Sequence, residues 1–197
     1  MIYNIIKALF WLIYTCIFPT KVSGTENIPR KGAVILAANH LSNWDPVLVG
    51  VFAPRYLVYM AKQELFRVPI LKNILHSVHS VPVRRGAADR SAIKAALTTL
   101  KDGGCICLFP EGTRSKDGKL HKGEHGVALL AAKSQAAVVP VAIEGTFNIR
   151  PFRRLHLTYG KPVYFEAERA DKEHLQEFTD KLMQKIAQML KIEQKTL

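Results

Sequence analysis

A chain of 197 residues that is 48% hydrophobic and 22% charged has the composition of a folded globular domain, long enough to bury a core without metals or disulfides. Disordered and fibrous classes are excluded. Its 28 Lys and Arg against 16 Asp and Glu leave a formal net charge of +12, which points to an anionic partner: nucleic acid, an anionic membrane surface or a phosphorylated substrate.

Residues 1–18 carry three clearly polar side chains, Asn4, Lys7 and Thr15. Together with Trp11 these fall on one narrow stripe of a helix, and Ile, Leu, Phe and Tyr fill most of the remaining circumference. Pro19 stops the segment. Crossing ~30 Å of hydrocarbon takes roughly 20 apolar residues. The helix is therefore expected to lie in the membrane interface, with Trp11 and Tyr14 at headgroup depth and Lys21, Arg30 and Lys31 near anionic lipid. A single span and a buried core helix are the competing readings. A cleaved signal peptide is disfavoured by the weak start at Lys7 and the poor site Phe18-Pro19-Thr20. The expected organisation is a membrane-surface helix over residues 1–21 and one domain over 22–197.

Val22–Gly32 reads as an entry loop, and the apolar run Ala33–Ala38 (AVILAA) as a strand buried on both faces. Pro46–Ala53 is expected to be helical, Tyr56–Met60 extended, Leu65–Leu75 helical despite Pro69, and Ser80–Val83 extended. Asp89 caps a helix over Arg90–Leu100, with Ile93, Ala96, Leu97 and Leu100 on one face and Gly103-Gly104 at its end. Cys105–Phe109 is strand-like, and Cys105 and Cys107 share a face, where packing is their expected job. With Cys16 they make three cysteines without CxxC spacing, which suits a reducing compartment. A helix over Gly126–Lys133 precedes a strand over Ala137–Ile143, and Leu155–Tyr159 with Val163–Phe165 reads as a hairpin around Gly160-Lys161-Pro162. Asp171 caps a long amphipathic helix carrying Leu175, Phe178, Leu182, Ile186 and Met189 on one stripe. Strands alternating with helices predict an α/β fold with a mostly parallel central sheet flanked by helices.

The strand AVILAA runs straight into Asn39-His40-Leu41-Ser42-Asn43-Trp44-Asp45-Pro46. Ligands of open α/β sheets bind beyond the carboxyl ends of strands. A turn between His40 and Asp45 aims the carboxylate at the imidazole, which fixes the tautomer and stabilises the imidazolium as His40 takes a proton. Such a pair, with no nucleophile beside it and no GxSxG elbow in the chain, acts on a hydroxyl brought by the substrate. By itself the HxxxxD spacing is unspecific, and a capped helix start with a surface His is the competing reading. Phe109-Pro110-Glu111-Gly112-Thr113-Arg114-Ser115 follows a second buried strand; Gly112 frees the backbone, and Thr113, Arg114 and Ser115 offer donors to a phosphate. Val83-Arg84-Arg85-Gly86 and Lys62 also follow strands, so three strands deliver cations to one rim. Each alone is ordinary surface charge.

Four blocks in order, NHLSNWD (Asn39–Asp45), VPVRRG (Val81–Gly86), FPEGTRS (Phe109–Ser115) and VVPVAIEGT (Val138–Thr146), resemble the glycerolipid acyltransferase family, most closely its 1-acylglycerol-3-phosphate O-acyltransferases. The resemblance covers residues 22–164, and Lys62–Phe66 and Lys122-Gly123 share it. It implies a glycerol-3-phosphate acyltransferase-like fold. It also implies transfer of a fatty acyl group from acyl-CoA or acyl carrier protein to the sn-2 hydroxyl of lysophosphatidate, giving phosphatidate, with no metal and no cofactor. The implied setting is the cell membrane, peripheral or monotopic, on its cytoplasmic face. Carried residue by residue, His40 is the general base and Asp45 its orienting partner; Arg85 (with Arg84 in reserve), Arg114 and Lys62 bind the phosphate. Glu111 and Gly112 hold the glycerol, while Pro140 and Gly145 shape the acyl-donor side. Glycerol 3-phosphate or another lyso-lipid is the alternative acceptor. Family members often carry a longer membrane-binding segment than this single helix.

Two strings mislead. His121-Lys122-Gly123-Glu124-His125 matches HxxEH, but Gly123 and the preceding Asp117-Gly118 argue against the helix that zinc chemistry needs. Gly112–Lys119 is one residue too long for a P-loop and lacks its Ser/Thr, so ATP binding is not expected. His76, His79, His156 and His174 have no evident partner in the sequence and are expected at the surface or in packing. A nonenzymatic basic adaptor for anionic membranes or nucleic acid is the rival class. It lacks any recognition signature with interleaved aromatics, so no nucleic-acid partner is expected.

Overall fold

The strand expected at AVILAA lies at the centre of the molecule. The computed structural model describes residues 2–69, 72, 73, 75, 80–83 and 90–191. In chain order these form α1 (Ile2–Cys16), β1 (Thr20–Ser23), β2 (Val34–Ala38), α2 (Asp45–Phe52), β3 (Leu57–Lys62), β4 (Val81–Val83), α3 (Arg90–Lys101), β5 (Cys105–Leu108), α4 (Gly126–Ser134), β6 (Ala137–Glu144), β7 (Leu155–Tyr159) and α5 (Lys172–Met189). The strands make one sheet in the order β1-β7-β6-β2-β5-β3-β4.

The sheet is mixed. Strands β6, β2, β5, β3 and β4 are parallel to their neighbours, while β7 runs antiparallel to β6 and carries β1 parallel at its outer edge. Period-2 alternation divides the core cleanly. Val34, Leu36, Ala38, Cys105 and Cys107 face the α2 side, where Tyr14, Leu48 and Val49 pack; Ile35, Ala37, Ile106 and Val138 face the other side, under residues of α3, α4 and α5. The two cysteines are thus packing residues on one face, as expected, and burial pushes the Cys105 thiol up to about 12 and the Cys107 thiol higher still.

Three expectations are corrected. The entry loop contains β1, a short edge strand that among the described residues pairs only with β7. The hairpin does not form: after β7 the chain continues along the edge of β6, with Gly160 N–H bonded to Pro140 O and Val163 bridging Val138. Backbone acceptors left open on β6 take the segment that a turn at Gly160-Lys161-Pro162 would have folded back. The helix expected over residues 65–75 starts later: Gln63–Arg67 is a 3-10 turn, while Pro69, Lys72, Asn73 and Leu75 are helical, with Lys72 N–H on Val68 O at 2.8 Å. Residues 70, 71 and 74, like Asp89, lie outside the described residues.

The polar stripe of α1 is turned partly inward. Lys7 Nζ donates to Ala53 O at 2.7 Å, at the C-terminal end of α2, and Tyr14 OH donates to Trp44 O at 3.2 Å. The ammonium meets the negative end of a helix while its stem covers apolar surface, and desolvation lowers the Lys7 pKa. Tyr14 is buried and Phe10 packs against the core, whereas Ile5, Leu9, Trp11 and Leu12 on the outer side are each about half exposed. No described helix is long and apolar enough to cross a membrane.

Candidate active site

Because β2 and β5 are parallel neighbours, the blocks that follow them emerge side by side at one rim. His40 Nδ1 lies 2.9 Å from Asp45 Oδ2, and the same oxygen accepts the N–H groups of Leu41 and Ser42 at 2.6 Å each. Asp45 opens α2 and is fully buried; His40 is 7% exposed. An ionised carboxylate only accepts, so the hydrogen sits on Nδ1 and leaves Nε2 as the basic nitrogen.

The loop from Phe109 grips His40 on three sides. The Phe109 ring stacks on the imidazole with centroids 3.8 Å apart. Glu111 Oε1 accepts the His40 N–H at 2.8 Å, and Ser115 N–H donates to His40 O at 2.8 Å, so the histidine is held at both its backbone groups. The other oxygen of Glu111 accepts the His121 N–H at 3.0 Å. Burial raises the Glu111 pKa, and these two amides with the nearby His121 and His40 rings work in the opposite direction. On the far side of β2, the Asn39 amide exchanges two hydrogen bonds with the backbone of Ile143, extending the β2–β6 ladder to the strand's last turn.

The remaining expected site residues divide by position. Gly112, at φ +69°, and Arg114 are exposed on the same loop. Arg84, Arg85 and the side chain of Lys62 lie outside the described residues; Lys62 itself ends β3 at the same rim. Pro140 sits inside β6 opposite Ala37, buried, away from the strand's end. Gly145, at φ +89°, lines a cavity of about 250 Å³ together with Asn39, Leu41, Leu120, Ile143 and Phe147. A Cβ at Gly145 would stand 2.9 Å from Arg154 O, so the turn requires glycine twice over. Thus His40, Asp45, Glu111 and Ser115 form one bonded cluster, with the Gly145 cavity on its flank.

Sequence reading passed over Phe109, Asn39 and the Ser115 N–H as parts of this cluster. Asn39 carried a signal: a polar residue closing an otherwise apolar strand needs a partner when buried. Ser115 Oγ donates to Asp117, which also meets His121 Nε2 at 2.8 Å, so this hydroxyl is not aimed at a histidine. The HxxEH string is not helical over residues 121–124, and its two rings have separate partners, His121 with Asp117 and His125 with Gln176. His174, without an evident partner in the sequence, pairs with its cap residue Asp171 at 2.7 Å. Among the described residues the ion pairs are all His–Asp; no Lys or Arg meets a carboxylate.

A family model described as Acyltransferase matches residues 19–144. A 1-acyl-sn-glycerol-3-phosphate acyltransferase of Bacillus subtilis is 32% identical over 177 residues, covering 86% of this chain and 87% of that protein. One from Borreliella burgdorferi is 33% identical over 147 residues, covering 73% of this chain and 57% of its own length. The crystal structure of the 1-acyl-sn-glycerophosphate (LPA) acyltransferase PlsC from Thermotoga maritima superposes with a TM-score of 0.75 at 26% identity, over 95% of this chain and 79% of that one.

Proposed function

This chain belongs to the acyltransferase family, and from that premise we propose that it esterifies the sn-2 hydroxyl of lysophosphatidate with a fatty acyl group from a thioester, giving phosphatidate. The observation that carries the reading is the buried His40–Asp45 pair with Nε2 left basic and no protein nucleophile bonded to it. His40 Nε2 removes the proton of the acceptor hydroxyl as its oxygen attacks the thioester carbonyl. The tetrahedral intermediate expels the thiolate, which takes the proton from the imidazolium. Asp45 holds the tautomer throughout and balances the charge that develops on the ring.

In this reading Arg114, exposed and without a carboxylate partner among the described residues, binds the acceptor phosphate, and Arg85 and Lys62 assist it. That remote binding holds the hydroxyl against His40. Gly112 presents its backbone to the glycerol, and Glu111 acts by fixing the His40 peptide. Pro140 and Gly145 belong to the donor side, where the cavity beside Asn39 and Leu41 takes part of acyl-CoA or acyl carrier protein. Residues 22–197 are the catalytic domain. The outer side of α1 rests in the interface of the cell membrane on its cytoplasmic face, as a peripheral contact supported by the exposed Ile5, Leu9, Trp11 and Leu12.

The test is free-thiol release from oleoyl-CoA by purified protein in detergent, with and without lysophosphatidate, beside His40→Ala. Release that needs lysophosphatidate and drops at least ~100-fold in the variant is the expected result. Release with acyl carrier protein alone assigns the donor, and release with glycerol 3-phosphate alone reassigns the acceptor. Undiminished release by His40→Ala removes the mechanism.

A further inference from the structure

A second open cavity, of about 310 Å³, lies where α1 hands over to β1, lined by Thr15, Pro19, Thr20, Lys21 and Arg154. Thr20 is paired with Leu155, so Lys21 of β1 and Arg154, the residue before β7, lie on adjacent chain segments at the cavity. Neither cation meets a carboxylate. Nor, among the described residues, does either side chain hydrogen-bond a carbonyl at this end of α1, and several carbonyls at and just after it have other donors. Ile13 O accepts the N–H groups of Ile17 and Phe18, Ile17 O accepts that of Phe152 at 2.6 Å, and Pro19 O accepts that of Leu155 at 3.0 Å. Phe18 O takes the Thr20 hydroxyl at 2.7 Å.

Beside the cavity stands Arg150-Pro151-Phe152-Arg153-Arg154, all exposed. Phe152 is 77% exposed and sits at φ +63°, a left-handed conformation unusual for a bulky side chain. Its N–H bond to Ile17 O ties this turn to the end of α1, and Ile17 is itself 40% exposed. An aromatic ring held out of the protein at a backbone cost, flanked by three unpaired arginines and continuous with an apolar helix side, matches the two layers of a bilayer surface: acyl chains and anionic headgroups.

We propose that this groove binds the phosphate of an anionic glycerophospholipid within the bilayer through Lys21 and Arg154, with Phe152 inserted among the acyl chains beside it. The turn over residues 150–154 is then a second membrane contact that fixes how α1 lies and makes binding depend on anionic lipid. The proposal rests on α1 lying in the interface. A single weak apolar anchor gains stable attachment from a second, cationic one, at about fivefold in affinity per cation near the surface.

Co-sedimentation with vesicles of phosphatidylcholine alone, and of phosphatidylcholine with phosphatidylglycerol, separates the contributions. Lys21→Gln/Arg154→Gln is expected to weaken binding to the anionic vesicles at least ~10-fold, leave binding to phosphatidylcholine unchanged, and keep wild-type thiol release in detergent, which reports an intact fold. Phe152→Asn, which tolerates the positive φ, is expected to weaken binding to both vesicles. Leu9→Ser/Leu12→Ser tests α1 by itself. Variants of the groove and of Phe152 that bind like wild type, while the α1 variant does not, overturn this proposal and leave α1 as the anchor. Wild-type protein that ignores every vesicle overturns both. Binding of inorganic phosphate that Lys21→Gln/Arg154→Gln abolishes, with that variant bound to anionic vesicles like wild type, assigns the groove to free phosphate and overturns the bilayer reading.

Discussion

Two His–Asp pairs stand within one loop cluster at nearly the same separation, 2.9 Å for His40–Asp45 and 2.8 Å for His121–Asp117. Each carboxylate takes three donors on one oxygen: Asp45 Oδ2 two amides and a ring nitrogen, with Oδ1 buried and unpartnered, and Asp117 Oδ1 the Lys119 N–H, the Ser115 hydroxyl and a ring nitrogen. Exposure separates them. The first pair has side chains 9% and 0% exposed, the second 51% and 49%. So does the backbone around the imidazole: His40 is held at N–H, C=O and ring face, while His121 contributes its N–H to Glu111. A short imidazole–carboxylate distance is therefore a poor marker of chemistry. Exclusion of water and a clamped peptide are better ones, because a base works from one orientation and gains from a site that water does not level.

Asp45→Asn breaks the comparison most severely. Asparagine can keep an acceptor oxygen at the Oδ2 position, but it removes the negative charge that balances the imidazolium and places an unpartnered NH₂ at the buried Oδ1 position, or turns that NH₂ on the ring and the two N–H groups. Turnover is expected to fall at least ~100-fold, measured by thiol release with circular dichroism as the check on folding. Glu111→Gln sharpens it. Glutamine keeps one oxygen for one of the two backbone N–H groups and turns its NH₂ on the other, which loosens either His40 or His121. The expected effect is roughly 10-fold in kcat, with the KM for lysophosphatidate within about twofold. A rise in KM at constant kcat would instead put Glu111 on the glycerol.

Much of the rim was legible in the sequence because its strands are continuous apolar runs and each ends in a block of polar chemistry. The AVILAA run and His40 belong to one strand and its exit, so chain proximity carries the information. The legible capping of the last helix by Asp171, which accepts the His174 N–H, has the same local origin. What sequence reading missed depends on partners far along the chain. Strand β1, four residues with every second side chain exposed, exists because β7 lies beside it, and Ser23 bonds Thr158 across 135 positions. The orientation of Lys7 is set by a carbonyl at Ala53, 46 positions away. Glu111 resembles a substrate ligand in its block, and only the fold brings the His40 and His121 amides to its two oxygens.

The smallest effect is expected at the exposed pair, and it separates a stability role from a chemical one. The Asp117 carboxyl is held down at about 2 against its ordinary 3.8, chiefly by the Lys119 N–H and then by the Ser115 hydroxyl, with His121 adding less. Between those values the unfolded chain binds more protons than the native loop. The stabilisation that Asp117 contributes is thus fully present above the ordinary value and is lost as pH falls toward about 2. Thermal melts of Asp117→Asn should accordingly fall less steeply than wild type between about pH 4 and pH 2. At neutral pH, thiol release should stay within about twofold of wild type, because the clamp on His40 from this segment is the Ser115 N–H and needs no carboxylate. A loss approaching that of Asp45→Asn would show that the exposed pair takes part in the chemistry after all, and that burial does not mark the working histidine.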